Sequence, residues 1–113
     1  MEVEELLKDF EETAIQQFEA QEKGDNKKSD KLLTKIKKLS KDLYNKNEIA
    51  SLRMLLTHEH INVRFNAACK LLPFFTKEAE SVLEEVEKAK NLTGFTAKMT
   101  LQEWRKGNIK FNY

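Results

Sequence analysis

The sequence contains little of what tight turns and covalent cross-links require. Its 113 residues include three glycines, one proline and one cysteine, whereas 35% are charged. A single cysteine excludes an internal disulfide, and the scarcity of glycine and proline disfavours a fold made of many short strands. Long amphipathic helices suit this composition, so we expect an all-α protein forming a single domain over residues 1–113.

Long apolar runs are also missing. No stretch approaches the roughly 18 residues needed to cross a bilayer. The first seven residues carry three glutamates, where a secretory signal carries basic residues. We therefore expect a cytoplasmic protein that has no membrane partner.

Apolar residues recur at steps of three or four positions in six segments, which predicts six helices. The first two cover about 2–22, with a stripe of Val3, Leu7, Phe10, Ala14 and Phe18, and about 27–44. The third carries Ile49 to Leu56, the fourth ends at Pro73, the fifth is capped by Thr76, and the sixth runs from about Leu92 to Trp104 before a left-handed Gly107.

Residues 48–74 are echoed thirty positions later by residues 78–104, which is typical of stacked helical repeats. The matched pairs are Glu48 and Glu78, Ser51 and Ser81, Phe65 and Phe95, Ala67 and Ala97, Leu71 and Leu101, and Phe74 and Trp104. Because the connections are short, we expect three antiparallel hairpins at about 2–44, 48–73 and 77–106, with a tail at 108–113. The predicted architecture is a short right-handed α–α superhelix in which Trp104 plugs the core of the last hairpin.

One stretch resembles the consensus of a HEAT repeat. It consists of Leu52, Leu55, Leu56, His58, Val63, Arg64, Ala67, Ala68, Leu71 and Leu72, and Arg64 is placed to reach polar groups of the turn. With Thr13 to Asp25 and Ala97 to Gly107 added, nearly the whole chain is similar to a bacterial family of small HEAT/armadillo-like proteins catalogued as a domain of unknown function. The resemblance implies a helical-repeat fold and a bacterial origin, and it implies no catalytic residues.

Charge alternates along the chain, although the formal net charge is only +1. Residues 1–22 contain eight acidic residues and one lysine, whereas residues 26–46 contain eight lysines and two aspartates. The later pairs of helices repeat the sign pattern more weakly. One interpretation is that the two sets of charges pair across each hairpin, where exposed pairs contribute only about 0–1 kcal/mol each.

The other interpretation is a basic inner surface that binds an acidic partner. Its candidate exposed cations are Lys31, Lys35, Lys38, Arg64, Lys70, Lys98 and Arg105. We expect a non-enzymatic module for protein–protein interaction, of an immunity or regulatory kind. The alternatives are a nucleic-acid-binding protein that contacts phosphates through lysines of the second helices, and a structural homo-oligomer.

The residues that most often carry chemistry form no recognisable motif. His58 and His60 are interpreted as turn residues of a repeat connection rather than metal ligands, and Cys69 as a buried apolar side chain. Phosphate-binding loops, nucleophile elbows and zinc signatures are missing from the sequence. We therefore predict no catalytic residue, no metal site and no cofactor.

Overall fold

A computed structural model describes residues 1–111 and contains six helices and no strand within that range. The helices are α1 (Val3–Glu22), α2 (Asn26–Asn45), a 3₁₀ helix (Ile49–Leu55), α3 (Ile61–Leu71), α4 (Thr76–Val86) and α5 (Leu92–Arg105). The prediction of an all-α protein with six helices is confirmed. Residues 112 and 113 of the tail predicted at 108–113 lie outside the described residues.

The chain forms two compact units, Met1–Ser51 and Leu52–Tyr113. In the first unit α1 packs on α2 around Phe10 and Leu43, which are both fully buried. The apolar stripe predicted for α1 is shifted, because Leu6 is buried while Leu7 and Phe18 are only half-buried.

A buried polar side chain joins the two helices of the first unit. The side-chain amide of Gln17 donates to Ser29 Oγ at 2.9 Å and to Gln21 Oε1 at 3.0 Å. Since a buried amide costs free energy unless its hydrogen bonds are made, these contacts fix the register of α1 on α2.

The connection between α1 and α2 has the turn chemistry expected from its sequence. Gly24 has a φ of 74°, a left-handed conformation that glycine adopts at little cost. The next residue, Asp25, accepts a hydrogen bond from the backbone N–H of Lys28 at 3.1 Å and so caps α2.

The third predicted helix is a 3₁₀ helix rather than an α-helix. Backbone bonds to the residue three positions earlier run from Ser51 to Glu48 and from Leu56 to Arg53. The segment has only seven residues and follows Asn47, whose φ is 59°. So short a segment closes few α-type hydrogen bonds, which favours the tighter helix.

The second unit is built from α3, α4 and α5, which contact one another. Ala67 and Ala97 are both fully buried, and so is Leu71, while its echo Leu101 is 2% exposed. The thirty-residue echo therefore marks equivalent core positions at its small and aliphatic residues. It fails at the aromatic positions, because Phe95 is 60% and Phe74 is 41% exposed.

Arg53 of the 3₁₀ helix is bonded to α4 through Glu78. Its guanidinium donates to both carboxylate oxygens of Glu78, at 2.6 and 2.9 Å, and lies 4.5 Å from the ring centroid of Phe75. The Glu78 contact raises the pKa of the Arg53 guanidinium. A bidentate pair of this kind fixes orientation better than a lysine contact would.

Two details near the ends of helices differ from the predictions. Thr76 does not cap α4; its hydroxyl donates back to the carbonyl oxygen of Leu72 at 2.7 Å, and the capping position is Phe75. Trp104 is half-buried rather than enclosed, and Phe111 folds back on it edge to face, with ring centroids 6.2 Å apart. The predicted left-handed Gly107 is confirmed, with a φ of 76°.

Candidate partner-binding surface

The outward side of α2 carries a continuous row of cations. We call the exposed residues Lys27, Lys31, Lys35, Lys38 and Lys41 the lysine face. They are spaced four, four, three and three residues apart, which keeps them on the side opposite the buried residues of α2. At 1.5 Å per residue the row is about 21 Å long.

The sequence analysis predicts only the central three of these residues, Lys31, Lys35 and Lys38. Lys27 and Lys41 extend the same row by the same helical spacing, and that spacing is the signal that could have found them. The two carboxylates of α2, Asp30 and Asp42, leave the helix strongly basic.

The lysines of α2 do not pair with the acidic helix beside them. Within residues 1–111, the side chains of the lysine face form no hydrogen bond and no ion pair. The two helices meet instead through apolar side chains and Gln17. Pairing between α1 and α2 therefore does not account for their charge pattern, and the cations of the lysine face stay available to solvent or to a partner.

In the second unit Arg64 is a structural residue rather than an exposed cation. It is half-buried, and its guanidinium donates to the carbonyl oxygens of His58 at 2.8 Å and Glu59 at 3.0 Å. This confirms that Arg64 reaches the turn before α3. Its donors are directed at the backbone because the turn leaves carbonyl groups there without helical partners.

The other candidate cations of the second unit differ in how available they are. Arg105 lies 3.3 Å from Glu84 and 3.9 Å from Glu80, so it is paired with α4. Lys70 is half-buried, which contradicts its assignment as exposed. Of the four candidate cations in this unit, Lys98 alone is exposed and forms no ion pair with the described residues.

Both histidines take part in the turn that begins α3. His60 is the N-cap, and its Nδ1 accepts a hydrogen bond from the backbone N–H of Asn62 at 3.1 Å. The backbone N–H of His60 donates in turn to Nδ1 of His58 at 2.9 Å. Across residues 1–111 no three His, Cys, Asp or Glu side chains are grouped so that they could hold a metal ion.

Cys69 lies in α3 and is only partly exposed. Burial raises the pKa of its thiol to about 12, against the smaller opposing effects of Lys70 and of a hydrogen bond with Thr100. The thiol therefore stays protonated in the folded protein at neutral pH, and it lacks the thiolate that nucleophilic chemistry needs. The contribution of the protonated Cys69 thiol to the free energy of unfolding is fully present below the ordinary thiol pKa. It is lost as the pH rises towards 12.

We expect iodoacetamide to alkylate Cys69 at pH 8 at least about a hundredfold more slowly in the folded protein than in urea, since only the thiolate reacts. Mass spectrometry of timed samples measures both rates. Comparable rates in the two states would contradict the protonated, shielded thiol.

No helix within residues 1–111 is both long enough and apolar enough to cross a bilayer.

Comparison with known proteins identifies a family for this chain and a solved structure with a similar fold. A family model described as Domain of unknown function (DUF2019) matches residues 4–104. The crystal structure of the protein RPA1889 from Rhodopseudomonas palustris CGA009 is similar to this chain with a TM-score of 0.90 and 20% sequence identity, over 99% of this chain and 95% of that one. At that identity the likeness shows the fold alone. No curated protein matches the chain.

Proposed function

This chain belongs to the DUF2019 family, and on that premise we propose that it is a non-enzymatic binding module that holds an acidic protein partner on its lysine face. The observation that carries the proposal is the row of five exposed lysines without ion pairs on one side of α2. Such a row is a preformed site for carboxylates, because no internal salt bridge has to break before a partner binds.

The mechanism is electrostatic steering followed by docking on a rigid helix. Like charges at steps of three and four residues repel one another, so the lysine face slightly destabilises α2. An acidic surface that neutralises these charges removes the repulsion, and this favours binding. Steering of this kind raises the association rate and the selectivity more than it raises affinity.

The residues that could carry catalysis are engaged in holding the fold. The Nδ1 atoms of His58 and His60 accept backbone N–H groups, and the raised pKa of Cys69 keeps its thiol neutral. These contacts support a binding protein over an enzyme.

The finer architecture is also a proposal. We take the chain to be a short right-handed α–α superhelix of HEAT/armadillo type, supported by the buried echo of Ala67 in Ala97 and of Leu71 in Leu101. In that architecture a cytoplasmic bacterial protein of immunity or regulatory type would present α2 to its partner. Arg64 and Arg105 would then maintain the fold and would not touch the partner.

A nucleic acid is the second candidate partner. The lysine face is about 21 Å long, and phosphates follow one another about every 3.4 Å of axis along one strand of B-DNA, so the row spans several phosphates. The lysine face has no aromatic residue on which a base could stack, so contacts would be limited to the backbone. An acidic protein needs only the lysines to be recognised, so it fits the lysine face better than a nucleic acid does.

The test compares the wild type with the triple variant Lys31→Glu, Lys35→Glu, Lys38→Glu. A matched control, Lys8→Glu, Lys23→Glu, Lys77→Glu, changes net charge equally at exposed sites that are not part of the lysine face. Partners recovered by affinity purification are identified, purified and titrated against all three proteins. We expect the lysine-face variant to bind at least about tenfold more weakly and the control to bind nearly as the wild type does.

Equal loss in both triple variants would mean that net charge, rather than this face, controls binding, and would overturn the proposal. The same proteins are titrated with single- and double-stranded DNA at about 50 and about 200 mM salt. Binding that weakens steeply with salt and disappears only in the lysine-face variant would replace the protein partner by nucleic acid. Sedimentation of the wild type distinguishes both from a homo-oligomer.

A further inference from the structure

The outward side of α5 carries three exposed apolar side chains beside the polar Thr96, Lys98 and Gln102. Leu92, Phe95 and Met99 are 53%, 60% and 40% exposed. Their spacing of three and four residues places them in one line, which we call the α5 stripe.

The opposite side of the same helix is apolar as well. Ala97 and Leu101 pack into the core of the second unit, and Gly94 lies against the backbone of the preceding connection. The α5 stripe is therefore additional to the apolar side that α5 needs for packing in its own unit. The α5 stripe is uncovered among the described residues, so it has the character of a binding surface.

Charge around the α5 stripe is mainly positive. Lys90, Lys98 and Lys106 are exposed and form no ion pair within the described part of the chain. The carboxylate of α5, Glu103, is half-buried and accepts a hydrogen bond from Asn108 at 2.7 Å. A partner therefore meets apolar contacts flanked by cations.

A shallow pocket of about 500 Å³ lies at the start of the stripe. Leu92 and Phe95 line it beside Lys90 and Lys98, and Glu87 is the acidic residue at its edge. This pocket can receive one apolar side chain while carboxylates of the same ligand reach the two lysines.

We propose that the α5 stripe binds an acidic amphipathic helix of another protein, with apolar anchors on Leu92, Phe95 and Met99 and carboxylates on Lys90, Lys98 and Lys106. Recognition of an amphipathic helix through anchors at steps of three and four residues is a recurring mode of binding. The site is separate in residues from the lysine face and does not depend on it.

The distribution of acidic and apolar side chains on this protein argues for a different protein rather than a second copy. Its acidic helices, α1 and α4, display no exposed large hydrophobic residue among residues 1–111. A second copy thus offers carboxylates without the apolar anchors that the stripe requires.

The probe is a synthetic helical peptide of about 18 residues, with leucine at steps of three and four, glutamate beside that stripe and alanine elsewhere. A comparison peptide carries lysine in place of glutamate. Fluorescence anisotropy gives affinities for the wild type, Phe95→Gln, Lys98→Glu and the matched control Met54→Gln, which removes another exposed apolar side chain of the same unit.

We expect the acidic peptide to bind at least about tenfold more tightly than the basic one, Phe95→Gln to weaken it about tenfold, Lys98→Glu severalfold, and Met54→Gln to leave it unchanged. Equal affinity for both peptides, undiminished binding by Phe95→Gln, or no binding of the acidic peptide would each overturn the proposal. So would sedimentation showing a wild-type dimer that Phe95→Gln dissociates, because a second copy would then occupy the stripe. Repeating the titration with the triple lysine-face variant separates this site from the proposed function, since Phe95-dependent binding should survive there.

Discussion

Replacing Phe10 with alanine is expected to lower the free energy of unfolding by about 3–5 kcal/mol. Phe10 of α1 is fully buried against α2. Among the described residues it is the largest side chain that is fully buried. Removing the ring forfeits the favourable free energy of transferring it from water to the protein interior. It also leaves a cavity that the two packed helices cannot fill completely. Since small proteins have only about 5–15 kcal/mol of stability, this one change removes much of it.

Urea denaturation followed by circular dichroism measures the effect, with Phe10→Leu as the matched control. Leucine keeps most of the apolar volume, so its expected loss is about 1–2 kcal/mol. If alanine and leucine at position 10 destabilised the protein equally, cavity formation would not be the cause. A loss below about 1 kcal/mol for alanine would contradict the enclosed position of Phe10.

Replacing Gly94 with alanine is expected to destabilise the protein by about 3 kcal/mol, at the upper end for overpacking. A methyl group at this position would overlap the carbonyl oxygen of Ala89 and would lie 2.9 Å from its carbonyl carbon and 3.2 Å from the carbonyl oxygen of Val86. All three atoms belong to the backbone, so no side chain can rotate away. The first turn of α5 would have to move off the connection from α4.

The matched control for Gly94→Ala is Gln102→Ala, an exposed position in the same helix. Alanine is the best helix former, so Gln102→Ala should leave the thermal midpoint within a few degrees of the wild type. Gly94→Ala should lower it by more than about 10 °C. A stabilising effect at position 94 would mean that the connection yields easily and that α5 is not held tightly against it.

The sequence could predict whatever depends on local periodicity. The bounds of α1 and α2, the end of α3 before Pro73 and the left-handed Gly107 agree with the structure to within one or two residues. These features follow from side-chain spacing and from the restricted backbone of proline and the free backbone of glycine, which act over one turn.

Where the structure differs from the sequence prediction, competition between neighbouring groups for hydrogen-bond partners explains the difference. Thr76 was expected to cap α4, but a carbonyl of Leu72 at the end of α3 lies within reach and takes its hydroxyl. Ile49–Leu55 has the apolar spacing of an α-helix, yet its short length makes it a 3₁₀ helix. Both outcomes depend on which backbone groups lack partners, and the spacing of apolar residues does not report that.

For the candidate site, too, the sequence determined some features and the tertiary structure decided others. The sequence alone determined that α2 would be basic and α1 acidic, because charge is a property of composition. Only the tertiary structure decided which cations are available. Arg64 is bonded to turn carbonyls and Arg105 to Glu84, while Lys31, Lys35 and Lys38 form no ion pair with any residue that the structure describes. Pairing depends on distances of a few ångströms between groups that are far apart in the chain, and packing sets those distances.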